Sequence, residues 1–238
     1  MNKLLTTLFA LAVACVTAVA HAQAPAQPAS AGAAAAAAPA AAPGGAKSIE
    51  AKVAMCIGCH GIKGYQASFP EVYKVPMISG QSAKYIVAAL TAYKNGDRKH
   101  PTMRGIATTL TEQDMNDIAA HYEADGKENG VALPDKPSKE PGPQVAALLQ
   151  KAACVSCHGS NFAKPIDPSY PKIAGQHGDY LFVALKAYKT ENNPAVGRNN
   201  AIMGAIAKQF SNAELKALAR YVSSLEGDLK VKPENRFR

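Results

Sequence analysis

The pentapeptide C-x-x-C-H occurs twice in this chain, as Cys56-Ile57-Gly58-Cys59-His60 and as Cys154-Val155-Ser156-Cys157-His158. Two thiols one helical turn apart can each add to a vinyl group of haem, and the adjacent histidine then lies beneath the iron as an axial ligand. This spacing is the attachment signature of c-type haem. Cys56, Cys59, Cys154 and Cys157 are therefore read as the covalent anchors of two haem c groups, with His60 and His158 as iron ligands. A thioredoxin-like redox pair or half of a zinc site uses C-x-x-C alone and leaves the histidine of both copies unexplained.

A sixth ligand is the next requirement, and a soft thioether there favours ferrous iron and raises its potential. Met103 and Met203 stand at closely similar distances after their motifs, in Met103-Arg104-Gly105-Ile106-Ala107 and Met203-Gly204-Ala205-Ile206-Ala207. Repeat symmetry favours them, although any methionine can also fill a core. Met77 competes in the first half, but its counterpart is Lys172. Met115 falls on a helix face where Leu215 is its counterpart. His100 leaves bis-histidine ligation open in the first half, with Asn199 and Asn200 in the corresponding region of the second. His121 and His177 have no histidine counterpart and are read as surface or satisfied polar groups.

The elements that must hold these residues are also duplicated. Pro76-Met77-Ile78-Ser79-Gly80-Gln81 answers Pro171-Lys172-Ile173-Ala174-Gly175-Gln176. Tyr85, Ile86, Ala89, Leu90 and Tyr93 then match Tyr180, Leu181, Ala184, Leu185 and Tyr188, the core face of one amphipathic helix drawn twice. A last helix starts at Thr111-Glu112-Gln113-Asp114 and at Ser211-Asn212-Ala213-Glu214, the second a capping box and the first a near-variant. Its apolar face is Met115, Ile118, Ala119 and Tyr122 in one copy and Leu215, Leu218, Ala219 and Val222 in the other. The fold class is thus all-α: two tandem helical domains over 47–130 and 144–238, joined by a short Pro- and Lys-rich linker, 131–143. Domains this small, without Trp, bury modest cores, and haem supplies the missing apolar mass, so haem-free chain is expected to fold poorly.

Lys3, the apolar run from Leu4 to Ala20 and the exit Ala20-His21-Ala22 read as a secretory signal peptide over 1–22, cut after Ala22. Cys15 lies in this leader and resembles a lipoprotein cysteine only loosely, because leucine is missing at the third position before it. Residues 23–46, nearly all Ala, Pro, Gln and Gly, read as a flexible tether. The four cysteines beyond the leader all belong to the haem motifs, which leaves no thiol for a disulfide in an oxidising compartment.

In this order the motifs resemble the cytochrome c4 family: C-x-x-C-H, Pro-x-Ile-x-Gly-Gln, a tyrosine-bearing helix, a methionine before Ile-Ala and a capped helix, twice over about residues 47–228. The resemblance implies two class I cytochrome c folds related by approximate two-fold symmetry, and a periplasmic carrier that shuttles electrons to a terminal oxidase or reductase. It also makes His60 and His158 the proximal ligands, Met103 and Met203 the distal ones, and Pro76 and Pro171 the residues that orient the proximal histidines. Two departures are the long tether and the stretch 69–75, longer than its counterpart 167–170.

The fold alone does not settle the partner, since the same pair of domains serves as the cytochrome subunit of flavocytochromes and other periplasmic dehydrogenases. The reaction expected is outer-sphere electron transfer by a carrier, not an enzyme. A dihaem peroxidase needs one iron with a displaceable ligand and fits such even halves poorly. The whole chain carries a formal +8, but residues 47–130 hold ten basic and nine acidic side chains, whereas 144–238 hold thirteen and seven. The basic second domain suits an acidic patch on a redox protein. Nucleic acid is not an expected partner, and membrane association is expected only through partners or a lipidated Cys15.

Overall fold

A computed structural model, which describes residues 47–126 and 132–233, shows how each motif is carried. In the first repeat, α1 (Ile49–His60) ends on C-x-x-C-H and sends Val53 into the core. The chain then forms a hairpin, β1 (Gln66–Ala67) with β2 (Tyr73–Lys74), followed by α2 (Ala83–Asn95), β3 (Arg98–Lys99), α3 (Pro101–Thr108) and α4 (Glu112–Asp125). The second repeat runs α5 (Pro143–Ala152), α6 (Val155–His158), α7 (Gly178–Ala187), β4 (Gly197–Arg198), α8 (Ala201–Ala207) and α9 (Asn212–Ser223). Pro143 opens α5, where its fixed φ suits a first turn.

The last helices bury the faces their spacing marks. Met115, Ile118, Ala119 and Tyr122 of α4 pack with Val53, Ile86 and Leu90, while Leu215, Leu218, Ala219 and Val222 of α9 pack with residues of α5 and α7. Both helices start in a full capping box. The near-variant also closes, because Asp114 takes the Thr111 N–H (3.1 Å) and Thr111 Oγ1 takes the Asp114 N–H (3.1 Å). Asp114 further pairs with Lys52 of α1 (2.9 Å) and so ties the motif helix to the closing helix.

Both cores are helical, as the sequence implies, but two short ladders add to them. The long stretch 69–75 returns as the β1–β2 hairpin, whose end docks on α7 of the other repeat. There Lys74 N–H donates to Asp179 (3.0 Å), Glu71 pairs with Lys186, and the Tyr73 and Tyr180 rings lie 6.2 Å apart. The second ladder joins the repeats directly: β3 pairs antiparallel with β4, Arg98 opposite Arg198 and Lys99 opposite Gly197.

The motif helices also differ. Where α1 runs unbroken through Cys56 and Cys59, α5 stops at Ala153, which takes a left-handed φ of 48°, and Cys154 starts the separate turn α6. No glycine or proline marks that break. The described part of the linker lies along the second repeat, with Asn161 bonded to Pro134 O (2.6 Å) and Tyr221 to Lys139 O (2.9 Å). The chain end returns to the first repeat, where Lys230 N–H donates to Ser79 O (3.0 Å). Both repeats thus belong to one compact unit. The leader, Cys15, the tether and the start of the linker lie outside the described residues. Among those described, no helix is long and apolar enough to cross a membrane.

Candidate functional site

Each C-x-x-C-H histidine is held by the carbonyl of the proline expected to orient it. His60 Nδ1 lies 2.8 Å from Pro76 O, and His158 Nδ1 lies 3.0 Å from Pro171 O. A carbonyl only accepts, so Nδ1 carries the proton in both rings and Nε2 keeps its lone pair. Burial outweighs these bonds and pushes the pKa of both imidazoles down, which keeps them neutral. A neutral, oriented imidazole with a free Nε2 is the form that binds a metal.

The four thiols are half-buried and form no disulfide. Cys56 packs on the first apolar cluster and Cys154 on both clusters of the second repeat; burial raises the pKa of both, that of Cys154 to about 11. The buried phenol of Tyr122 lies beside the Cys56 thiol. Unpaired thiols at thioether spacing, neutral nitrogen donors and an apolar wall suit covalently held haem c.

Met103 and Met203 occupy matching places, each half-buried in the first turn of a short helix between the tyrosine-bearing and closing helices. Met103 packs on the same apolar cluster as Cys56. A side-chain cap receives each backbone N–H: His100 Nδ1 takes that of Met103 (3.3 Å), and Asn200 Oδ1 takes that of Met203 (2.9 Å). Since His100 Nδ1 accepts, its Nε2 carries the proton and donates to Tyr73 Oη (3.0 Å). Both nitrogens of His100 are occupied, and its place in the second repeat is taken by a capping asparagine that also precedes a methionine by three. Met115 is core, with Thr91 donating to its sulfur (3.8 Å). His121 stacks edge-on against Tyr122, and His177 precedes α7.

The junction of the repeats holds groups that the sequence reading left without a role. Gly80 and Gly175 take left-handed φ angles of 90° and 72°, and at Gly80 Asp228 O occupies the space a Cβ would need. The glutamines that follow, Gln81 and Gln176, thereby turn across the junction into buried sites. Nearby, the Arg98 and Arg198 guanidinium groups lie over tyrosine rings. Arg98 covers Tyr85 and Tyr93 and donates to Tyr85 Oη (2.8 Å); Arg198 covers Tyr180 and Tyr188 and donates to Tyr180 Oη (3.0 Å). Neither arginine forms an ion pair with a described residue, and the aromatic faces offset part of the cost of opposing like charges. Those four tyrosines, expected on core faces, also carry the junction arginines, and Tyr180 packs on the second repeat's core as well. The signal that could have found the pair is positional, since each arginine precedes its methionine by five residues.

The cytochrome c family model matches residues 44–122 and 144–226, one match per repeat. Cytochrome c4 of Thiocapsa roseopersicina is 31% identical, covering 74% of this chain and 90% of its own length. A thiosulfate dehydrogenase electron acceptor of Stutzerimonas stutzeri is 29% identical, covering 76% of this chain and 82% of its own. The crystal structure of reduced cytochrome c4 from Pseudomonas stutzeri superposes with a TM-score of 0.54 at 26% identity, covering 75% of this chain and 97% of that one. With two C-x-x-C-H motifs, two oriented histidines and relatives matched across both repeats, the chain belongs to the cytochrome c4 family and is a dihaem electron-transfer cytochrome.

Proposed function

We propose that the protein carries electrons in the periplasm between a respiratory donor and a terminal oxidase or reductase. Its irons are ligated by His60 with Met103 and by His158 with Met203, and its haems are bound at Cys56 with Cys59 and Cys154 with Cys157. Haem, when bound, supplies an iron that takes up and returns one electron. The observation behind it is that each repeat pairs a proline-oriented, neutral histidine with a methionine in the first turn of a capped helix. With His60 and Met103, and His158 and Met203, as iron donors, neither repeat would leave a displaceable site for peroxide, which fits a carrier rather than an enzyme. Pro76 and Pro171 hold the imidazoles in one orientation, which would keep them in place when a bound iron changes charge. His100, with both nitrogens engaged, serves as a helix cap.

A second reading has one observation behind it, the related electron acceptor of a thiosulfate dehydrogenase. On that reading the donor is a dedicated dehydrogenase and the basic second repeat docks against it. Potentiometric titration of the exported holoprotein tests the first. Two low-spin haems, both showing the methionine-to-ferric-iron charge-transfer band and neither reacting with peroxide, are the expected result; a high-spin haem in either repeat overturns it. Reduction of the protein by a thiosulfate dehydrogenase at a rate far above that with other donors would favour the second reading.

A further inference from the structure

The carbonyl that accepts from His60 and the N–H of Met77 belong to one peptide group, the Pro76–Met77 peptide. That N–H donates across the junction to Gln176 Oε1 (3.0 Å), and Gln176 Nε2 donates back to Met77 O (2.9 Å). The opposite repeat mirrors this. The Lys172 N–H, from the peptide whose carbonyl binds His158, donates to Gln81 Oε1 (3.0 Å), and Gln81 Nε2 donates to Lys172 O (3.0 Å). Both glutamines are 4% exposed. Each Oε1 also receives the N–H of the next residue, Ser82 or His177 (3.0 Å each), which locks the amide.

We propose that Gln81 and Gln176 are positioning residues that tune the axial histidine of the opposite repeat, Gln176 acting on His60 and Gln81 on His158. The proposal rests on the reading of those histidines as iron ligands. Donation of a peptide N–H polarises the amide and makes its carbonyl a stronger acceptor. A stronger acceptor at Nδ1–H makes the imidazole a more basic ligand, which favours ferric iron. Each glutamine therefore lowers the potential of the haem it does not belong to by sequence. The effect is crossed, each glutamine side chain reaching the peptide behind the histidine of the other repeat.

The test uses the holoprotein with Gln176→Met and Gln81→Met, close in size but without the amide, and Gln176→Glu, which keeps an oxygen acceptor for the Met77 N–H. NMR of the ferrous form follows each ligand histidine Nδ1–H, and an NMR-monitored redox titration follows each haem. Expected for Gln176→Met are an upward shift in the potential of the Cys56/Cys59 haem and an upfield move of the His60 Nδ1–H. The Cys154/Cys157 haem should hold its value, and Gln176→Glu should return the first haem toward wild type. Gln81→Met should give the mirror image. Equal shifts of both haems, a shift confined to the variant's own repeat, or no shift at all would overturn the proposal. Should the methionine variants fail to assemble, Gln176→Asn and Gln81→Asn, shorter by one methylene, carry the same crossed comparison. Failure of the ligand reading is separable, because His60→Ala or His158→Ala would then retain a low-spin spectrum in its own repeat.

Discussion

Replacing Met103 and His100 one at a time separates the two candidates for the first repeat's sixth ligand. Met103→Ala removes the thioether, whereas His100→Ala removes a helix cap. Two equivalent methionine-ligated haems contribute equally to the charge-transfer band, so Met103→Ala should cut its intensity to about half. Met203→Ala should do the same and the double variant should abolish it. The structure sets the cost of His100→Ala through two bonds: the cap to Met103 N–H (3.3 Å) and the bond to Tyr73 Oη (3.0 Å). Loss of an N-cap costs about 1 kcal/mol and a neutral hydrogen bond about 1 kcal/mol, so His100→Ala should destabilise by roughly 2 kcal/mol with the band intact. Visible spectra of the ferric proteins and their urea midpoints give both quantities. A full band in Met103→Ala, or a halved band in His100→Ala, would refute the reasoning.

Other perturbations address the scaffold and the surface. Leu215 is 1% exposed, so Leu215→Ala should cost about 2–5 kcal/mol, read as a lower urea midpoint. Ala153→Gly should stabilise by about 1 kcal/mol, because the exposed Ala153 holds a left-handed φ of 48° that glycine adopts without strain; an unchanged or lower midpoint would count against this. The Asp114 carboxyl is held well below its usual range, first by Thr111 and then by Lys52. A depressed carboxylate pKa contributes stability that is complete above the unfolded value near 4 and is lost as pH falls toward the folded value. Asp114→Asn should flatten that acid limb in a urea titration across pH. If the basic second repeat steers docking, the association rate with an acidic redox partner should fall steeply as salt rises, and a rate indifferent to salt would remove the charge argument.

Local patterns carried much of the fold. Apolar spacing of three and four placed the buried residues of both closing helices, and Thr111 and Ser211 marked their starts. The capping of the methionine helices was less visible, because His100 reads as a candidate ligand until the structure shows its two nitrogens engaged. The break between α5 and α6 left no mark, since Ala152 and Ala153 are good helix formers and tertiary packing overrides them.

The groups that escaped the sequence reading gather where the repeats meet: Arg98 and Arg198 face each other across the β3–β4 ladder, and Gln81 and Gln176 bond into the opposite repeat. Alignment of a duplicated sequence compares each residue with its counterpart and assigns both to the same local role. It therefore placed Tyr85 and Tyr180 on core faces, where Tyr180 does pack, but gave no sign that each phenol also accepts from the arginine of its own repeat at the junction. For Gln81 and Gln176 the same symmetry is informative once contacts are known. Their bonds exchange between repeats, so a glutamine changed in one half acts on the peptide behind the histidine of the other. The exchange also makes the repeats interdependent, because either half on its own would leave the Met77 or Lys172 N–H without its glutamine acceptor. In a separated half these N–H groups would bond to water instead, a weaker and less fixed acceptor than the locked amide. Separately produced halves should therefore attach haem yet show shifted histidine Nδ1–H signals, and mixing them should restore both signals together. Halves with signals identical to those of the full chain would show that the exchange has no hold on the histidines.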